Sequence, residues 1–184
     1  MSAGLSKRWR RISVLMAALL GLGLALATRA QTTTGPNAQL TTQDRVYGGG
    51  TYQPANVRNF AIDAHAVGGA AYGNIEYATP LTLREQQVTC LSVSGNKATV
   101  GGIFTASTDP TFNGWWFEWV VQDNGTPLSG TPDAASFQNL APAGDTSWPK
   151  GFPYVCPSPD DALSTVGALF PFLGGDIVVQ QAGK

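Results

Sequence analysis

The stretch 81–106, LTLREQQVTCLSVSGNKATVGGIFTA, decides the fold class. An extended run over 81–93 reaches Ser94-Gly95-Asn96-Lys97 and returns over 98–106, with Leu91 and Val93 matched by Ala98 and Val100. Gly and Asn tolerate the positive φ that a tight hairpin turn requires, so two antiparallel strands are predicted here. Val88 is out of phase with Leu91 and Val93, which predicts a bulge or twist inside the first strand. Cys90 then shares the outward phase with Ser92.

The same period-two pattern continues on both sides of this hairpin. In 57–67, Phe60, Ile62, Ala64 and Ala66 alternate with Asn59, Ala61, Asp63 and His65. In 71–79, Ile75 and Tyr77 point inward between Asn74 and Glu76. In 115–122, Trp115, Phe117, Trp119 and Val121 form one face and Trp116, Glu118, Val120 and Gln122 the other. No stretch after residue 30 repeats apolar residues at i, i+3, i+4, i+7 over helical length. Eight strands are predicted, near 48–53, 57–67, 71–79, 81–93, 98–106, 115–122, 135–140 and 176–181. An all-β, single antiparallel eight-stranded up-and-down barrel is the expected architecture, because closure removes the edge strands that template aggregation. A two-sheet β-sandwich is the alternative.

The chain has 184 residues and a formal net charge of −1, enough for one packed domain. Its charge is unevenly placed. Lys7, Arg8, Arg10, Arg11 and Arg29 precede the first acid, Asp44, and the uncharged run 12–27 follows the basic cluster. Residues 1–30 therefore read as a signal peptide, cleaved after Ala27 or Ala30, because the run is short of the roughly 20 apolar residues that span a bilayer. Cleavage after Ala30 leaves six cations against twelve acids, a formal charge of −6. The remaining cations are scattered singly, which argues against nucleic acid and against an anionic lipid surface. Residues 31–45, polar and without periodicity, read as a flexible linker to a domain over 46–184.

An exported chain with two cysteines predicts a Cys90–Cys156 disulfide. Cys156 lies in a Pro/Gly-rich region, 126–175, that holds eight of the 12 prolines. A bridge would pin this excursion to the outer face of the sheet and offset the entropy of ordering it. On that same face, Trp116, Glu118 and Val120 are the candidate binding residues, either covered by the excursion or exposed as a patch for a sugar ring, a lipid tail or a partner protein.

Motifs for catalysis are sparse. Asp63 and His65 share one strand face, an arrangement that can orient an imidazole, but no G-x-S-x-G elbow supplies a nucleophile. Asp63, Glu76, Glu85 and Glu118 all fall on strands, and nothing in the sequence selects a pair for sugar hydrolysis. One His with dispersed carboxylates does not match a zinc site, and the loop acids Asp109, Asp123, Asp133, Asp145, Asp160 and Asp161 lack the spacing of a calcium loop. No metal or cofactor is expected.

Six segments occur in an order that resembles a known group: Gly48-Gly49-Gly50, Asn59-Phe60-x-Ile62-x-Ala64, Gly73-x-Ile75-x-Tyr77, the hairpin 91–100, Asp123-Asn124-Gly125-x-Pro127 and Gly174-Gly175-Asp176-Ile177-x-Val179. They resemble small secreted bacterial all-β proteins of the post-COAP domain type, over about 48–179. The resemblance implies export and an all-β fold; it carries no catalytic or ligand residues. Cys90 and the Trp-rich 115–119 depart from that pattern.

The expectation is a secreted, extracellular or cell-envelope barrel module of structural or interaction type, without enzymatic activity and without a stable membrane anchor. The alternative is a binding module for a small hydrophobic molecule or carbohydrate, through the barrel interior or a Trp116 patch, with a surface protein as a further partner class. A hydrolase built on Asp63 and His65 is the remote reading.

Overall fold

A computed structural model describes residues 43–183. The segment 1–30 and most of the expected linker lie outside the described residues. The strands are β1 (Asp44–Tyr52), β2 (Arg58–Val67), β3 (Ala70–Ala78), β4 (Leu83–Ser94), β5 (Lys97–Ser107), β6 (Trp116–Gln122), β7 (Ala134–Ala135), β8 (Asn139–Ala141) and β9 (Phe170–Gln180), with one helix, α1 (Pro159–Val166), between the last two. Strands β1 to β6 pair antiparallel in sequence order, β7 joins β6 to β9, and β9 returns to β1. Eight strands thus close an antiparallel barrel, and β8 sits outside the ring on the β6 edge. The barrel, rather than the sandwich, is the architecture.

The 81–106 hairpin forms as its pattern dictates. Ser94 pairs with Lys97 across a turn in which Gly95 adopts φ 62°. The register shifts between Val88 and Cys90, so Thr89 is the extra residue of a bulge. That one insertion turns Cys90 outward while Val88 stays in the core.

Large side chains fill the middle of the barrel. Trp119, Tyr52, Phe60 and Phe172 pack with ring centroids 4.8 to 6.1 Å apart, and Tyr77 meets Trp119 at 6.0 Å. Their polar tips are paired, as burial requires. The Trp119 indole N–H and the Tyr52 hydroxyl both donate to the Ser136 carbonyl at 3.0 Å, and the Tyr52 and Tyr77 hydroxyls lie 2.9 Å apart. Asp133 ties the β7 entry to β9, accepting from the backbone N–H of Asn124 at 2.7 Å and of Ile177 at 2.8 Å.

Three strands and one helix differ from the sequence expectation. β1 opens at Asp44, two residues inside the stretch read as linker, because Asp44 and Arg45 pair with Ala66 and His65. The segment expected as one strand over 135–140 is split into β7 and β8 by Ser136, whose hydroxyl accepts from the Val120 N–H at 3.0 Å. The last strand begins at Phe170 rather than near 176, since Phe170 and Pro171 pair with β7 before the strand passes to β1. The helix α1 was not expected; it is only 8 residues long, with Ser158 capping the Asp161 N–H at 3.2 Å. Among the described residues no helix is long and apolar enough to cross a membrane.

Candidate functional site

The predicted disulfide is present. Cys90 and Cys156 are bonded, with Cα atoms 5.3 Å apart. It fastens the excursion to the outer wall of the barrel at the bulge, where the Thr89 hydroxyl also donates to the Pro153 carbonyl at 2.5 Å. Gly101 pairs with Cys90 and makes room for this docking: a Cβ there would stand 2.6 Å from Cys90 Sγ and 2.8 Å from Phe152. Phe152 then seats against Trp148 at 4.2 Å and Trp116 at 5.9 Å between ring centroids. A second anchor lies further along, where Val120 packs with Ala162 and Val166 of α1.

Between these two anchors the excursion stands off the wall and leaves a cleft of about 640 Å³. Glu118 and Asn139, paired across β6 and β8, contribute from the barrel. Asp145, Ser147, Trp148 and Pro149 line it from the excursion, and Asp161 and Thr165 from α1.

Glu118 is the unusual group. It occupies the outward phase of β6 yet is only 2% exposed, because the excursion covers it. Its Oε1 is buried and has no hydrogen-bond partner in the protein. Removal from water penalises the charged form and pushes its pKa up to about 7, with a hydrogen bond from Asn139 acting in the opposite direction. Asp145, in the same wall, is held below the usual carboxylate range by hydrogen bonds from Ser147, whose backbone N–H donates at 2.8 Å. One cleft therefore holds a carboxyl that protonates near neutrality and another that stays ionised.

Of the three candidate binding residues, only Glu118 lines the cleft. Trp116 is half-covered by Trp148 and Phe152 and is not an open patch. Val120 is completely buried beneath α1 and supports the wall rather than meeting solvent. Of the cleft residues supplied by the excursion, sequence names only Asp145 and Asp161, and only as loop acids, because nothing in 142–169 states which part of the barrel wall it will cover.

Asp63 and His65 do meet. His65 Nε2 lies 2.9 Å from Asp63 Oδ1, Arg45 shares that oxygen at 3.2 Å, and the imidazole stacks on Tyr72 at 5.1 Å. The Asp63 side chain is 61% exposed on the outer wall, and neither residue lines the cleft over Glu118. Glu76 and Glu85 are exposed on β3 and β4. Among the described residues no cluster of His, Cys, Asp and Glu has the arrangement to hold a metal ion. Compared with family models, with curated proteins and with solved structures, the chain matches none of them.

Proposed function

We propose that this chain is an exported, non-enzymatic binding module whose ligand, a carbohydrate, sits in the cleft over Glu118. The observation that carries this reading is the buried Glu118 Oε1, an acceptor without a partner in a cleft of about 640 Å³. A buried polar atom of this kind costs stability unless a ligand group pairs with it, and a sugar hydroxyl is a suitable donor. Trp148 and Pro149 offer an apolar face to the C–H side of a pyranose, while Asn139, Asp145, Ser147 and Thr165 offer polar partners to its rim. The middle of the barrel is occupied by the aromatic cluster around Trp119, which favours the outer cleft over the interior as the ligand site. Export is supported by the basic cluster 7–11 followed by the apolar run 12–27, and by the disulfide.

A panel of neutral oligosaccharides, titrated while tryptophan fluorescence and backbone amide NMR shifts are followed, tests the proposal. Saturable shifts centred on Glu118, Asn139 and Ser147 are expected, with Trp148→Ala weakening binding about tenfold or more. Binding that leaves these signals still, or that survives Trp148→Ala and Glu118→Gln unchanged, would refute it.

One observation favours a second reading. Two carboxyls whose environments move their pKa values apart, Glu118 upward and Asp145 downward, are the pairing that acid–base hydrolysis uses. Under that reading a bound oligosaccharide would be cleaved over hours of NMR observation, with the rate falling at alkaline pH as Glu118 loses its proton. An intact sugar after prolonged incubation excludes it.

A further inference from the structure

The barrel end where β4 begins and β5 finishes carries a second cavity, of about 700 Å³, away from the Glu118 cleft. Arg58 and Arg84 both line it. They hold the inward phase of β2 and β4, one pleat ahead of the buried Phe60 and Gln86, so both guanidiniums sit half-buried at the mouth. The Arg84 guanidinium lies 4.4 Å from the Phe112 ring centroid and 5.4 Å from that of Phe104, a stacked placement that fixes its plane. Its Nε is buried and has no hydrogen-bond partner in the protein.

Neither arginine forms an ion pair among the described residues, where the ion pairs join Arg45 to Asp63, His65 to Asp63 and Lys97 to Asp160. Asp109 is the acid in the cavity wall, and its Oδ1 is committed to the Thr111 backbone N–H at 3.1 Å and hydroxyl at 2.6 Å. Burial, and then the neighbouring charge of Arg58, lower the pKa of Arg84, while Tyr77 and Asp109 act against them. Two cations drawn together in a half-buried cavity without a dedicated counter-ion are unfavourable alone and favourable around an anion. The wall is also partly apolar: Leu81 is 90% exposed there, with Pro80 and Phe112 in the same lining.

We propose that this mouth binds a small amphiphilic carboxylate, its oxyanion held by Arg58 and Arg84 and its hydrocarbon laid against Leu81 and Phe112. The site is independent of the cleft over Glu118.

Titration of the disulfide-intact protein with octanoate, acetate, inorganic phosphate and matched sodium chloride, read on the arginine Nε–Hε NMR signals, tests it. Octanoate is expected to give a saturable shift at Arg84, with acetate at least about tenfold weaker. Arg58→Gln, which removes no ring contact of Arg84, is expected to weaken octanoate by about tenfold or more, and Arg84→Lys, which keeps the charge but not the planar fork, to do likewise. Glu118→Gln is expected to leave octanoate binding intact, so this site can fail while the sugar cleft stands, and the reverse. Chloride reproducing the shift, or octanoate binding equally to Arg58→Gln, would overturn the site; tighter binding of inorganic phosphate than of octanoate would overturn the amphiphile.

Discussion

Replacing Glu118 with Gln should make the protein more stable at alkaline pH and less sensitive to pH. In the folded chain the carboxyl is buried and its pKa rises from an ordinary value of 4.5 to about 7. The folded state therefore holds this proton over a range in which the unfolded state has released it. Stability contributed by the group is present at low pH, is lost as pH climbs from the unfolded value through the folded one, and stays lost above it. The shift of about 2.5 units, at roughly 1.4 kcal/mol per unit, gives about 3 kcal/mol of destabilisation at about pH 8 relative to about pH 4. Against a typical domain stability of about 5 to 15 kcal/mol this is a large share.

Gln has the same shape and cannot ionise, so the comparison isolates the charge. Urea denaturation of both proteins at about pH 4, 6 and 8 gives the difference directly, and other carboxylates cancel because both chains carry them. The difference between the Glu118→Gln variant and wild type should move in favour of the variant by about 3 kcal/mol across that range. A difference that stays flat with pH would mean that Glu118 is hydrated when folded, and the argument from burial would collapse. A difference that moves the opposite way would mean that an unrecognised cation faces it.

Other expectations are shorter. Reducing Cys90–Cys156, which closes a separation of 66 residues, should cost about 4 kcal/mol and expose the excursion to protease before the barrel, read by limited proteolysis with and without reductant. Asp133→Ala strands the N–H groups of Asn124 and Ile177 and should cost about 2 to 3 kcal/mol in urea denaturation. Gly102→Ala would drive a Cβ into the Gln87 carbonyl oxygen and should lower the melting temperature sharply, whereas Gly174→Ala meets nothing within 4 Å and should leave it nearly unchanged. His65→Ala should leave sugar binding in the cleft unaltered, since its side chain stacks on Tyr72 outside that cleft.

The barrel was legible because its information is local. A strand with one wet face writes an alternation that survives in any neighbourhood: β2 and β3 bury the inward residues their patterns name, β6 buries Phe117, Trp119 and Val121, and Leu91 and Val93 of β4 pack partly buried against the same core. Even the bulge at Thr89 is visible, as the phase break between Val88 and Leu91. The helix α1 was hidden by its length: Pro159, Ala162 and Val166 do recur at helical spacing, but over 8 residues the pattern is too brief to separate from a loop. Its caps were the readable sign, with Ser158 before Pro159 and Gly167 just beyond Val166.

The site was only half legible, and for a physical reason. Sequence places Glu118 on the outward face of β6, where an acid ordinarily stays ionised in water. Its burial, and so its chemistry, comes from residues far along the chain that are held over it by one covalent bond, one ring cluster and the packing of α1 on Val120. Phe152 can dock only because Gly101 has no side chain, and Gly101 stands opposite Cys90 only because Thr89 bulges. The bulge, the bare glycine and the disulfide are thus a single device: together they convert a solvent-facing carboxylate on a barrel wall into a half-protonated acceptor at neutral pH. It follows that Phe152→Ala, which keeps the disulfide and lies outside the cleft lining, should loosen the excursion and return the Glu118 pKa toward its ordinary value. The carboxyl carbon shift of Glu118, followed by NMR through a pH titration, reads that return directly. A titration midpoint that stays near neutrality in the Phe152→Ala protein would break the chain of cause from docked ring to acid.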